Sequence, residues 1–290
     1  MQATPQGGIK PWLLLSPALT ALFFLLIIPT AFVAVYSLWL SSATGLATRE
    51  WTLSNWTSML ADPFYWAILW QTLRIALEGT IGCALMGYPV AYFLARCRLR
   101  NKSFLVLLLL LPFWISYIIR TLSWINILGA NGLINTLLEA LGAIDAPLQM
   151  LYNEVAVVLG LIHYLLPFMI LNIYVVLEGL DRNIEASAAS LGAPPFRVFL
   201  EVTLPLSLPG LAAGGLLCFV LGAGTYVTPM ILGGPQNAMF ATLIYDTIII
   251  QLNWPMGAAM SMLLLMLLGG IVMLYNRFLG LGQIYKSLAG

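Results

Sequence analysis

Arg74 and Glu78 stand four residues apart within an apolar run. That spacing places them on one helical face, where they either pair with each other or line a polar pathway. Arg120 sits in IIRTLSW, where it either snorkels its charge to water or faces a cavity. Glu154 opens another apolar run, Glu178 closes it, and Asp246 stands in MFATLIYDTIII. An ionisable group in lipid is costly and needs a partner or a purpose. Asp246 therefore caps a short re-entrant helix, forms a local pair, or meets a cationic solute at an outer mouth. His163 is the single histidine, and Cys83, Cys97 and Cys218 fall in separate segments. This leaves neither metal-ligand spacing nor a disulfide framework, and His163 reads as a packed or hydrogen-bonded group. None of the three lysines follows a glycine, so there is no phosphate-binding loop of the Walker type. No nucleophile, base and orienter share a recognisable spacing. The available chemistry is charge pairing and lining, and ATP hydrolysis by this chain alone is not expected.

The elements that must position these residues are membrane helices. Of 290 residues, 61% are hydrophobic and 8% charged, against roughly 25% charged in soluble domains. Mean hydropathy is +0.95. Six apolar segments reach the length of a span, near 12–40, 67–94, 103–127, 154–178, 208–231 and 255–276. The first is too long for one upright helix and tilts, bends near Pro29, or leaves the membrane at its end. It is also too long, and lacks the small-residue site, for a cleaved signal peptide. If the chain starts inside, nine basic residues (Lys10, Arg96, Arg98, Arg100, Lys102, Arg182, Arg197, Arg277 and Lys286) share the inner side and only Arg49 lies outside. This bias predicts cytoplasmic termini. No basic patch exceeds the topological cluster at 96–102, so a nucleic-acid role has no support. The outer loops carry Trp51, Trp56, Tyr65 and Trp66 as interface anchors and have room for short surface helices. In the fifth segment Gly210 and Gly214 form a close-packing face, and Gly222-Ala223-Gly224-Thr225 can loosen the helix.

One stretch has no reason to exist in lipid: EASAASLGAPPFRVFLEVTLP, from Glu185 to Pro205. By the charge bias it lies in the cytoplasm. Asn183 suits an N-cap, the alanine-rich run 185–191 a helix, and Gly192 a positive-φ stop. Pro194 or Pro195 can start a second helix, on which Phe196 and Phe199 form an apolar lip. Taken alone, this elbow either holds the bundle together as a surface helix or docks a soluble partner.

Gly192 is followed by nine residues and then Val202-Thr203-Leu204-Pro205. This resembles the transmembrane permease subunits of bacterial binding-protein-dependent ATP-binding-cassette (ABC) importers, whose cytoplasmic loop carries a Glu-Ala-Ala signature, a glycine, and this spacing to Ile/Val-x-Leu-Pro. The family's glutamate position falls on Ala186 and its alanine pair on Ser187 and Ala188, whereas Glu185 stands one residue early. GYPVAYFLAR at Gly87–Arg96, LPFWISYIIRTLSW at Leu111–Trp124, GTYVTPMILGG at Gly224–Gly234 and NWPMGAAMS at Asn253–Ser261 are similar to the polyamine branch of that family.

The resemblance implies an all-α polytopic membrane protein with the six-helix type I importer permease fold. It implies one transmembrane domain over 1–290, a coupling loop at 181–207, and a bacterial inner membrane location. The partners it implies are a second, related permease subunit, two cytoplasmic ATPase subunits that hold ATP and Mg, and a periplasmic solute-binding protein. This chain itself binds no cofactor. Glu185, Ala186, Ser187, Ala188, Gly192, Pro194 and Phe196 are the implied ATPase contacts, with Leu204 and Pro205 closing the motif. The implied solute is a polyamine such as spermidine or putrescine, although related permeases serve amino acids, opines and similar solutes. Carboxylates and aromatic faces suit a polycation, which makes Trp114, Tyr117, Trp124, Glu154, Tyr226 and Asp246 pathway candidates. Arg120 would oppose a polycation if it faces the same cavity. An ion-coupled carrier is the alternative, motivated by Arg74, Glu78 and the loosened fifth segment. The missing inverted repeat and the elbow itself weigh against it.

Overall fold

The computed structural model describes residues 11–41, 47–97 and 101–279. Lys10, Arg98, Arg100, Lys286 and both termini, on which part of the orientation argument rests, lie outside the described residues.

The described residues are mostly helical. Helices α1 (Pro11–Leu22) and α2 (Ile28–Tyr36) are joined by a π-helical turn, Phe23–Ile27. A two-stranded antiparallel hairpin follows, β1 (Trp39–Ser41) with β2 (Ala47–Trp51). The all-helical expectation is therefore corrected at one place. Trp39, Thr48 and Trp51 are residue types that fit an extended pleated surface. The hairpin also settles the overlong first segment, whose helix stops at Tyr36. Next come α3 (Ser54–Ala61), α4 (Pro63–Arg96), α5 (Lys102–Leu110), α6 (Tyr117–Leu128), α7 (Leu133–Ala140) and α8 (Glu154–Gly179). They are followed by α9 (Arg182–Ser190), α10 (Pro195–Val198), α11 (Leu204–Ala223), α12 (Phe240–Tyr245) and α13 (Trp254–Leu279).

Among the described residues, four helical stretches are long and apolar enough to cross a membrane: Leu15–Tyr36, Glu154–Gly179, Pro195–Ala223 and Trp254–Arg277. Two expected segments differ from single straight spans. The one at 103–127 is broken. After α5 the helix tightens to a 3-10 turn at Leu111–Trp114, becomes extended at Ile115 and Ser116, and restarts as α6 with an overall bend of 88°. Pro112 has no amide to donate and its ring crowds the preceding turn, which favours such a break. The segment expected at 208–231 starts earlier and stops earlier. Helix α10 runs through a π-helical turn, Phe199–Thr203, directly into α11, which ends at Ala223. The wider turn accommodates Pro205, which cannot donate back to the carbonyl of Glu201. Residues Pro229–Gly233 then form a separate π-helical turn.

The chain divides into two compact units. One comprises the residues up to Asp62 together with Ile244–Met266. Within it, the Asn55 amide donates to the carbonyls of Ser37 (3.1 Å) and Trp39 (2.8 Å), tying α3 to the end of α2 and to β1. Asn253 accepts the Met256 amide at 3.2 Å, which starts α13.

The other unit comprises Pro63–Leu243 together with the residues from Leu267 on. Its core is the packing of α4, α8 and α11, with Ile75, Leu161, Leu165, Met169 and Cys218 fully buried. Helix α8 starts on Asn153, whose side chain accepts the Ala156 amide at 2.9 Å. Helices α8 and α11 approach backbone to backbone at Gly210, where an added Cβ would lie 2.7 Å from the Asn172 carbonyl oxygen. The segment between α6 and α8 is organised by Asn135, which is fully buried. Asn135 donates to the carbonyls of Gly129 and Leu148, both at 2.9 Å, and accepts the Leu148 amide at 2.8 Å.

Candidate functional site

The elbow forms as a helix, a glycine stop and the foot of a long helix. The N-cap of α9 is Asp181, not Asn183. The Asp181 carboxylate accepts the Asn183 amide at 2.9 Å. A carboxylate there also suits the positive end of the helix. At the other end Gly192 takes φ +87°, and its amide and that of Ala193 donate to Ala189 (3.0 Å) and Ala188 (3.3 Å). The positive φ is what requires glycine, since nothing crowds a Cβ at that position. Pro194 is the extended residue before α10, and Pro195 opens it.

Ala186, Ser187, Gly192, Pro194 and Pro205 are exposed, while Ala188 and Leu204 are half-buried. Leu191 is 89% exposed and Phe196 72% exposed. Phe199 turns inward and packs edge-on against Tyr88 and Tyr92, each at 5.6 Å between ring centres. The apolar lip is therefore Leu191 with Phe196, because the π-helical turn that starts at Phe199 sets its ring towards α4.

Glu185 does not stand free on this surface. Its Oε1 accepts from Arg96 Nε (3.2 Å), Arg96 Nη2 (2.6 Å) and Thr203 Oγ1 (2.8 Å). Arg96 Nη1 also donates to the Leu177 carbonyl at 3.1 Å, and Arg182 Nη2 to the Ala95 carbonyl at 2.9 Å. Lys102 pairs with Glu178 and donates to the Ala95 carbonyl at 3.3 Å. Basic side chains thus occupy the C-terminal ends of α4 and α8, where free carbonyls and the helix dipole favour them. Sequence reasoning assigned Arg96 and Lys102 to topology and missed this second use. The signal was present, because Arg96 ends one of the matched stretches and Thr203 is the variable residue of the Val-x-Leu-Pro ending.

A second cluster gathers around the broken α5–α6 element. The Tyr117 hydroxyl bonds to Thr225 Oγ1 at 2.8 Å and to Thr228 Oγ1. Its ring lies 4.4 Å from that of Tyr164. Arg120 is buried, donates to the Pro112 carbonyl at 3.2 Å, and sits 5.8 Å from the Tyr164 ring centre. It thereby satisfies a carbonyl freed by the break rather than snorkelling to water. Trp124 Nε1 donates to His163 Nδ1 at 3.0 Å.

Three of the expected pathway residues, Tyr117, Arg120 and Trp124, thus meet in one polar, aromatic neighbourhood. Tyr164, Thr225 and Thr228 belong to it and were not singled out from sequence. Trp114 is 80% exposed, and Tyr226 is about two-fifths exposed. Asp246 belongs to the other compact unit, where it opens a π-helical turn and its carbonyl accepts the Gln251 amide at 2.9 Å. Glu154 pairs with Arg74 at 2.5 Å, while the expected Arg74–Glu78 pair is present but longer, at 3.9 Å. Chemically, the cluster offers hydroxyls, ring faces and one tethered guanidinium, which can line and bind.

No family model matches the chain. It is 34% identical over 256 residues to the spermidine/putrescine transport system permease protein PotB of Haemophilus influenzae, covering 88% of this chain and 89% of that one. It is 35% identical over 226 residues to PotB of Escherichia coli, covering 78% and 82%. In structure it is similar, at TM-score 0.72 and 15% identity, to a chain of a bacterial alginate ABC transporter in complex with an alginate pentasaccharide-bound periplasmic protein, covering 92% of each. It is also similar to a chain of the MetNI methionine ABC transporter, at TM-score 0.56 and 17% identity, covering 77% of this chain and 98% of that one. The chain belongs to the family of ABC transporter permease proteins represented by the PotB spermidine/putrescine permeases.

Proposed function

We propose that this chain is the transmembrane subunit of an ATP-driven importer of polyamines, with spermidine and putrescine as its solutes. The observation that carries this reading is the elbow. Its Gly192-to-Pro205 spacing is that of the family, its exposed lip is apolar, and it continues without a break into the span Pro195–Ala223. A soluble ATPase pressing on Leu191, Phe196 and the Ala186–Ala188 surface would act directly on a core helix. ATP and Mg belong to that partner, because this sequence has no loop to hold them.

Counted with α4 and the bent α5–α6 pair, the four apolar spans make six crossings, with both termini in the cytoplasm and the chain in the inner membrane. A second permease subunit completes the pathway, and a periplasmic binding protein delivers the solute. In this reading Tyr117, Tyr164 and Trp124 supply ring faces along the path. One observation favours a different solute of the same importer class. The buried Arg120 next to Tyr164 suits a carboxylate-bearing amino acid or opine better than a polycation.

The test is copurification with the products of neighbouring genes, then solute-stimulated ATP hydrolysis in proteoliposomes. The polyamine reading predicts stimulation by spermidine or putrescine with the cognate binding protein. Stimulation by amino acids alone transfers the assignment to the second solute class. Uptake by the purified chain without ATP or partners overturns the importer reading.

A further inference from the structure

Glu185 is the only acidic side chain within α9, and it is turned towards the bundle. One carboxylate oxygen accepts two bonds from Arg96 at the end of α4 and one from Thr203, which is 1% exposed at the turn leading into α11. The same guanidinium reaches the Leu177 carbonyl at the end of α8. Glu185 and Arg96 together therefore join the elbow helix to all three helices of the core. Arg182, the first residue of α9, adds a second tie through the Ala95 carbonyl. Charge-assisted bonds of this kind are the strong ones, and the pair is largely shielded from water.

The one-residue displacement explains the direction. Adjacent positions on a helix are rotated by about 100°. Ala186, at the family's glutamate position, is exposed, while Glu185 faces inward.

We infer that Glu185 is a positioning residue that clamps the elbow to α4, α8 and α11 so that they move as one body, and that the surface offered to the ATPase is built by other residues, Leu191 and Phe196 foremost. This rests on the elbow being the coupling element. The experiment uses the full importer, purified with its partner subunits, in three forms: Glu185→Ala, Phe196→Asp, and the exchange Glu185→Arg with Arg96→Glu.

Two quantities are read, neither needing the solute. One is the amount of ATPase subunit that copurifies. The other is the width of the spin-label distance distribution between Ser190→Cys on α9 and Leu85→Cys on α4, with Cys97 replaced by serine. Glu185→Ala is expected to keep the ATPase and roughly double the width, since three charge-assisted bonds are lost. The exchange is expected to narrow the distribution again. Phe196→Asp is expected to lose the ATPase by about a hundredfold or more, the scale of burying an unpaired charge, with the width unchanged.

Unchanged width in Glu185→Ala overturns the clamp. Loss of the ATPase in Glu185→Ala at unchanged width makes Glu185 a partner contact and overturns it too. Retention of the ATPase by Phe196→Asp defeats the coupling-elbow reading, and a broadened Glu185→Ala would then leave only a structural tie. Should Glu185→Ala not reach the membrane, Glu185→Gln, which keeps the size and one carbonyl oxygen, is read by the same two quantities.

Discussion

Tyr117 holds its hydroxyl on Thr225 and Thr228 and its ring on Tyr164. Tyr117→Phe keeps the ring and removes the hydroxyl. It is expected to lower stability by about 1 kcal/mol, the net worth of a typical hydrogen bond, and to slow uptake severalfold with the subunits still assembled. Thermal unfolding in detergent and transport in proteoliposomes check the two halves separately. Unchanged uptake would remove Tyr117 from the pathway. At this scale legibility follows sequence distance. The positive φ of Gly192 and the start of α10 at Pro195 were readable, because backbone permissiveness is a local property. The partners of Glu185 were not, since they lie 89 and 18 positions away. The N-cap was missed by two residues because Asp181 and Asn183 are both good caps.

At the scale of elements, the length of the apolar runs located the long helices and failed at their breaks. Apolar composition does not distinguish a straight span from one that tightens at Leu111–Trp114 and turns through 88°. Nor does it show that the second elbow helix and the fifth span are continuous, because a π-helical turn leaves no compositional mark. The glycine face of α11 was legible, because small residues four apart have few other uses in lipid. It gives a paired prediction. At Gly210 an added side chain meets the Asn172 carbonyl at 2.7 Å and Val176 at 2.9 Å, whereas at Gly179 it meets nothing within 4 Å. Gly210→Leu is expected to separate α8 from α11 and cost about 1–3 kcal/mol or more, as overpacking does. Gly179→Ala is expected to be nearly silent. Thermal unfolding of the two variants decides, and equal effects would contradict the close approach.

For the whole molecule, the proposed orientation rests on the charge bias and is open to a direct check. Leu141 and Leu191 are both strongly exposed, at 80% and 89%, and lie in loops assigned to opposite sides. In intact cells an impermeant thiol reagent is expected to label Leu141→Cys and spare Leu191→Cys, with the reverse in inside-out vesicles. Labelling of both from one side would invert the topology. The fold class was legible at this scale because lipid leaves a chain so few options. The small hairpin was not, being confined to eight assigned residues at Trp39–Ser41 and Ala47–Trp51.

The unbroken run Pro195–Ala223 has one more consequence. Its 29 residues make a rod about 43 Å long, with Phe196 at its foot and Thr225 and Thr228 just beyond its tip. A tilt of about 5° at the foot carries the tip sideways by about 4 Å over that length. That distance exceeds a hydrogen bond. The grip of Thr225 and Thr228 on the Tyr117 hydroxyl is therefore something such a rod can make or break by leverage alone, with no change of shape in between.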